Sequence, residues 1–176
     1  MTHAELVNLI RAGVPDQGGV WADFGAGGGN FTRALHDLLG SAATIFAVDR
    51  DGRALERLQA SWLGGEAAAL HIRTADFTQP LALPPLDGLL VANALHFNRD
   101  QAGAVARLAG YLRRGGRFMI VEYEVNSARS YIPFPLPYAR FERLMIGAGL
   151  GDVVRVGLRR SPSSGTAMYA AAAIKP

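Results

Sequence analysis

Apolar and polar positions along the chain follow two periods that take turns. Short, nearly continuous apolar runs lie at Val20–Phe24, Thr44–Val48, Asp87–Ala92 and Arg117–Glu122, with a further strand-like run at Leu70–Ala75, and most are separated by segments whose apolar residues repeat at helical spacing. Runs with apolar residues on both faces are the pattern of strands buried in a parallel sheet. Thr2-x-x-Glu5 predicts a capping box for a helix within residues 1–14, with Leu6, Leu9 and Ile10 on one face and Gly13 and Pro15 ending it. A second helix is predicted over Asn30–Leu39, with Phe31, Leu35, Leu38 and Leu39 inward and Gly40 as its stop. Asp51 caps a third, carrying Leu55, Leu58 and Trp62 and ended by Gly64-Gly65. Where a further helix is due, prolines turn Gln79–Pro85 into a loop. The next helix spans about Arg99–Arg113, and Gly115-Gly116 turns the chain into the fifth strand.

Beyond that strand the pattern changes. Residues 126–138 are rich in proline and aromatics, a helix is predicted at Tyr138–Gly147, and two β-like runs follow at Asp152–Leu158 and Thr166–Ile174. The last two are too close for a crossover helix, so they must pair as an antiparallel hairpin. The expected fold is α/β: a doubly wound, Rossmann-like sheet of about seven strands, mostly parallel, closed by that hairpin. One domain is expected over residues 1–176, with 126–138 as a substrate lid.

Composition narrows the setting. The chain has 176 residues, 49% hydrophobic and 19% charged, which is a globular balance, and no apolar run reaches the length of a membrane span. A cytoplasmic protein is expected, with no membrane partner, as monomer or homodimer. It has no cysteine, and His3, His36, His71 and His96 show no ligand spacing, so no metal is expected. The net charge of +3 rests on arginine, since Lys175 is the only lysine. The arginine clusters at 113, 114 and 117 and at 155, 159 and 160 read as solvated element ends, so a nucleic-acid partner is unlikely on composition.

The chemistry concentrates at the first strand. Asp23-x-Gly25-x-Gly27-x-Gly29 follows an apolar run and leads into a helix. Such a turn lets a ligand lie against the backbone while helix N–H groups point at it. It is not the dinucleotide spacing, because the position for the third glycine is Asn30. An acid ahead of the glycines suits a cationic ligand head better than a pyrophosphate. In a doubly wound sheet ligands bind outside the carboxyl ends of the strands. Asp49, Asp76 and Asn93 fall at the ends of the second, third and fourth. Singly, each reads equally well as a turn or cap residue.

Together these residues resemble the motifs of the class I S-adenosylmethionine-dependent methyltransferases, over about Val14 to Ile174. The resemblance implies the strand order 3-2-1-4-5-7-6 and S-adenosyl-L-methionine as cofactor. It implies cofactor contacts from Asp23, Gly25, Ala26, Gly27 and Asn30, with Asp49 on the ribose hydroxyls. Arg50 flanks the adenine, Asp76 and Phe77 hold it, and Asn93 and Ala94 hold the amino end. Two rivals stay open: an NAD(P)-dependent oxidoreductase on the same kind of sheet, and a methyltransferase-like module that binds without catalysis.

For the acceptor, the pattern departs from the Asn/Asp-Pro-Pro-aromatic motif of nucleobase amino methylation, because Asn93-Ala94-Leu95-His96 stands there. The lysine tetrad of ribose methylation cannot be built from Lys175, and a thiolate attack on pyrimidines needs a cysteine. A small-molecule methyl acceptor is expected. Alignment of acceptor and methyl is expected to carry most of the catalysis. His96 is the best candidate for a general base, although no carboxylate is evident in the sequence to orient its imidazole. Tyr123 and Glu124 are expected on the active-site side, and Tyr131, Phe134 and Tyr138 are candidates for lid contacts.

Overall fold

The computed structural model describes residues 1–14, 17–62, 67–162 and 164–176. Its elements in order are α1 (His3–Ile10), β1 (Gly19–Phe24), α2 (Asn30–Leu39), β2 (Ala43–Asp49), α3 (Gly52–Ala60), β3 (Ala69–Thr74), β4 (Leu86–Ala92), α4 (Gln101–Tyr111), β5 (Leu112–Tyr123), α5 (Tyr138–Gly147), β6 (Gly151–Arg160) and β7 (Ala167–Ile174). Short 3₁₀ turns at Arg11–Gly13 and Leu95–Phe97 complete them. The strands form one seven-stranded sheet in the order β3-β2-β1-β4-β5-β7-β6. β1 to β5 run parallel, and β7 is antiparallel to both β5 and β6. The expected sheet order and closing hairpin are both present. Pro15 and Gly64-Gly65, named above as helix stops, lie outside the described residues.

Both faces of the sheet are covered, which is why its central strands read as unbroken apolar runs. On one face Leu89, Val91, Phe118 and Ile120 meet Leu108 of α4 and Phe141 of α5. On the other, Ile45, Leu90 and Met119 meet Ile10 of α1 and Leu35 of α2. Capping begins the helices as the sequence implies. Glu5 N–H donates to Thr2 Oγ1 at 3.4 Å and Thr2 N–H to Glu5 Oε2 at 2.8 Å, while Ala54 N–H donates to Asp51 Oδ1 at 3.0 Å.

Two boundaries differ from expectation. The fourth helix was expected over Arg99–Arg113, but Asp100 caps it by accepting Gly103 N–H at 2.9 Å, so it starts at Gln101. It ends at Tyr111 because Leu112 is buried in the sheet opposite Leu86, and the next paired position is Gly88 opposite Arg117. The four residues between bulge out, and Gly115, at φ 74°, donates its N–H to Lys175 O at 2.7 Å. The glycine turn therefore lies inside β5.

Candidate functional site

The strand order reverses between β1 and β4, so loops leaving the carboxyl ends of β1 and β4 diverge and leave a cleft. Two adjoining cavities of about 370 Å³ and about 310 Å³ occupy it and share Gly25 and Asn93. The first is lined by Asp49, Arg50, Asp76, Phe77 and Ala94. The second is lined by Asp23, Ala26, Gly27 and Asn30, with Met1 and Leu6 of the N-terminal segment as a cover. Each residue expected at the cofactor thus lines one cavity or both. His96 lines neither.

The glycine turn is held from below and from the side. Gly25 and Ala26 donate N–H bonds to Val48 O at 2.8 and 3.1 Å. Gly25 has φ 79°, and a Cβ there would stand 2.5 Å from the Cβ of Ala94. Any other residue would both strain the backbone and push the β4 loop away. Asp49 closes the turn: its Oδ2 accepts Gly27 N–H and its Oδ1 accepts Asp51 N–H, each at 2.8 Å. Both oxygens keep a second lone pair for a ligand. Asp76 uses one oxygen, Oδ1, on the Thr78 hydroxyl at 2.7 Å and amide at 2.9 Å. These bonds hold its carboxyl below the usual range, with a smaller contribution from Arg50 and against some desolvation.

Asp23 is the most unusual group. Its side chain is buried, Oδ2 accepts the Thr32 hydroxyl at 2.7 Å, and Oδ1 has no partner among the described residues. Burial pushes its pKa up to about 7, against the Thr32 bond, and the Asp49 charge adds to the rise. Asn93, held at φ 51° with its N–H on Val121 O at 2.8 Å, also has a buried Oδ1 without a partner. Both residues line the same cavity. An unpaired buried acceptor costs about 1–3 kcal/mol, and an incoming cationic donor removes that cost.

His96 is 2% exposed. Its Nδ1 lies 2.7 Å from Oε2 of the buried Glu122, whose Oε1 accepts the N–H groups of Leu95 and His96, both at 3.1 Å. The expectation that no carboxylate orients this imidazole is overturned. Glu122 of β5 points to the turn after β4. The carboxylate on Nδ1 makes that nitrogen a donor and leaves Nε2 as the ring's other nitrogen. Nε2 makes no hydrogen bond within the described residues.

The 126–138 segment is pinned rather than loose. Ile132 and Leu136 are buried, Phe134 N–H donates to His96 O at 3.0 Å, and Gln101 Nε2 donates to Phe134 O at 2.7 Å. Tyr138, expected among the lid contacts, turns away: its hydroxyl donates to Val153 O at 3.4 Å and Arg155 lies 4.5 Å over its ring. Sequence reasoning missed Thr32, Thr78, Phe97 and Asn98. Phe97 and Asn98 adjoin His96 in the same post-β4 segment and could have been included on that ground. Thr32 depends on a contact across nine residues that no local signal marks.

Residues 22–120, more than half of the chain, match the family described as Methyltransferase domain. The chain belongs to that family. No curated protein is a significant match. Solved structures similar to it include the YcgJ protein of Bacillus subtilis, with a TM-score of 0.79 at 12% identity over 98% of this chain and 99% of that one. The N-methyltransferase NodS of Bradyrhizobium japonicum, solved with S-adenosyl-L-homocysteine, has a TM-score of 0.76 at 17% identity, covering 99% of this chain and 85% of that one. The 1,6-didemethyltoxoflavin-N1-methyltransferase of Burkholderia thailandensis gives 0.74 at 21%, covering 98% and 77%. At such identities the likeness is one of fold. It places this methyltransferase domain, with its 3-2-1-4-5-7-6 sheet, in the class I architecture that its motifs resemble.

Proposed function

We propose that the protein binds S-adenosylmethionine in the cleft and transfers its methyl group to a small organic acceptor. The observation that carries this reading is a pair of buried acceptors without partners among the described residues, Asp23 Oδ1 and Asn93 Oδ1, on two residues that line one cavity beside the glycine turn. They suit an ammonium group and disfavour a pyrophosphate, which would bring negative charge to Asp23 and Asp49 and offer no donor. That argues against the nicotinamide alternative on electrostatic grounds.

In this reading Asp23 and Asn93 hold the amino end, and Asp49 holds the ribose diol with its two free lone pairs. Asp76 Oδ2 accepts from the adenine amine, and Phe77 covers the base. When bound, the cofactor supplies a methyl group already activated by a sulfonium. The chain's own task is to seat the acceptor, exclude water and take up any proton the acceptor sheds. His96 is the candidate for the proton, at Nε2, with Glu122 as the positioning residue that fixes its tautomer. The Burkholderia neighbour, solved with bound 1,6-didemethyltoxoflavin, is a precedent for a small acceptor on this fold. Calorimetric titration tests the reading: S-adenosylhomocysteine should bind at one site per chain and NAD should not. Binding of NAD alone would sink it.

A further inference from the structure

We propose that the acceptor is a planar aromatic or heteroaromatic molecule, seated against a wall of rings that runs from Phe97 to Tyr131. The inference rests on the methyl-transfer reading above and names the substrate class of the same site. Phe97, on the turn after β4, lines the larger cavity yet is 56% exposed. Tyr131, on the segment after β5, is 40% exposed. Two buried or half-buried rings connect them. Phe97 lies 4.2 Å from the ring of His96, His96 is edge-on to Tyr123 at 5.7 Å, and Tyr123 is edge-on to Tyr131 at 5.9 Å. His96 is buried and Tyr123 half-buried, so the exposed ring surface of this series is that of Phe97, which lines the larger cavity, and of Tyr131.

Packing of a loop onto the sheet does not account for this arrangement, because packing would cover the large rings and leave the small polar ones out. Here Ile132 and Leu136 of the same segment are fully buried, so the segment already has its anchors without Tyr131. The wall is also rigid. Glu122 ties the His96 turn to β5, Phe134 ties the second segment to that turn, and the Tyr131 hydroxyl is held by Arg129 at 3.1 Å and Thr166 at 3.3 Å. Pre-fixed aromatic faces favour a flat ligand, since stacked and edge-to-face pairs add about 0.5–1.5 kcal/mol each beyond burial of area. A flexible aliphatic acceptor gains only the area and loses rotamer freedom in addition.

The test uses the full chain saturated with S-adenosylhomocysteine, titrated with 2-naphthol and with decahydro-2-naphthol as its saturated counterpart. Wild type should prefer the aromatic probe by about tenfold, the equivalent of one or two ring contacts. Phe97→Ala and Tyr131→Ala should each reduce that preference severalfold, and Tyr131→Ala, outside the two cavities of the cleft, should leave S-adenosylhomocysteine affinity near wild type. Equal affinity for the two probes, or a preference that survives both substitutions, overturns the proposal. So does a Phe97→Ala variant that loses S-adenosylhomocysteine in proportion, since Phe97 would then belong to the cofactor's wall. A wild type that binds 2-naphthol but not S-adenosylhomocysteine overturns the reading beneath it instead.

Discussion

At the scale of single residues, the site is built from acids whose charges are already partly spent on the backbone. Asp49 is held by two amide donors, from Gly27 and Asp51, before any ligand arrives, so little side-chain entropy remains to be lost on binding. Asp49→Ala should therefore weaken S-adenosylhomocysteine binding by about 1.5–3 kcal/mol, roughly tenfold or more in Kd, with the fold retained. Calorimetry on the variant checks this, and unchanged affinity would move the ribose contact elsewhere. Asp49, Asp76 and Asn93 were legible because each follows an apolar strand run directly, and a strand end is a fixed place in a doubly wound sheet. Thr32 and Thr78 were not legible as partners. A hydroxyl's role depends on which acceptor the fold brings to it, and neither threonine has a spacing that announces one.

At the scale of elements, Glu122 fastens three of them. Its carboxylate takes both backbone amides and the imidazole of the turn after β4, and that turn's His96 carbonyl takes the amide of Phe134. A buried acid serving three donors of the turn and the amide of Tyr123 has no replacement when it is removed. Glu122→Ala should destabilise the protein in urea unfolding, by about 1–3 kcal/mol for each buried donor left unpaired. Glu122→Gln should cost less, because its carbonyl can still accept from Leu95 and His96. Equal costs would mean that the imidazole, and not the amides, depends on Glu122. The sequence showed every helix and strand to within a few residues because periodicity reports which faces are covered. It placed the start of β5 late, since a strand that bulges at Gly115-Gly116 looks from its glycines like a turn between elements. The Leu95–Phe97 turn was missed for a related reason: its amides are satisfied by a side chain on another strand.

For the whole molecule, the parallel sheet brings the ends of four strands to one edge, and Met1 and Leu6 of the N-terminal segment line the cavity there beside the buried Asp23. The closing hairpin could be anticipated from the spacing of the last two runs, and the sheet order from the family resemblance; the depth at which Asp23 sits could not, because burial is a sum over elements distant in sequence. That depth links global stability to pH. With its folded pKa raised to about 7, Asp23 keeps a proton that the unfolded chain has already lost, so rising pH favours unfolding. Relative to Asp23→Asn, wild type should lose up to about 1.4 kcal/mol per pH unit between about pH 4 and 7, and no more above that window. Cofactor binding should reverse the sign of this linkage. An ammonium group beside Oδ1 favours the carboxylate, so S-adenosylhomocysteine must displace the Asp23 proton below pH 7 and binds without that cost above it. Its affinity for wild type should therefore rise by as much as about tenfold per pH unit up to about 7, then level off, while the affinity of Asp23→Asn stays flat. Calorimetry in buffers of different ionisation enthalpy reads the released proton directly. Parallel pH profiles for the two proteins would show that Asp23 is ionised throughout and that the amino end is held elsewhere.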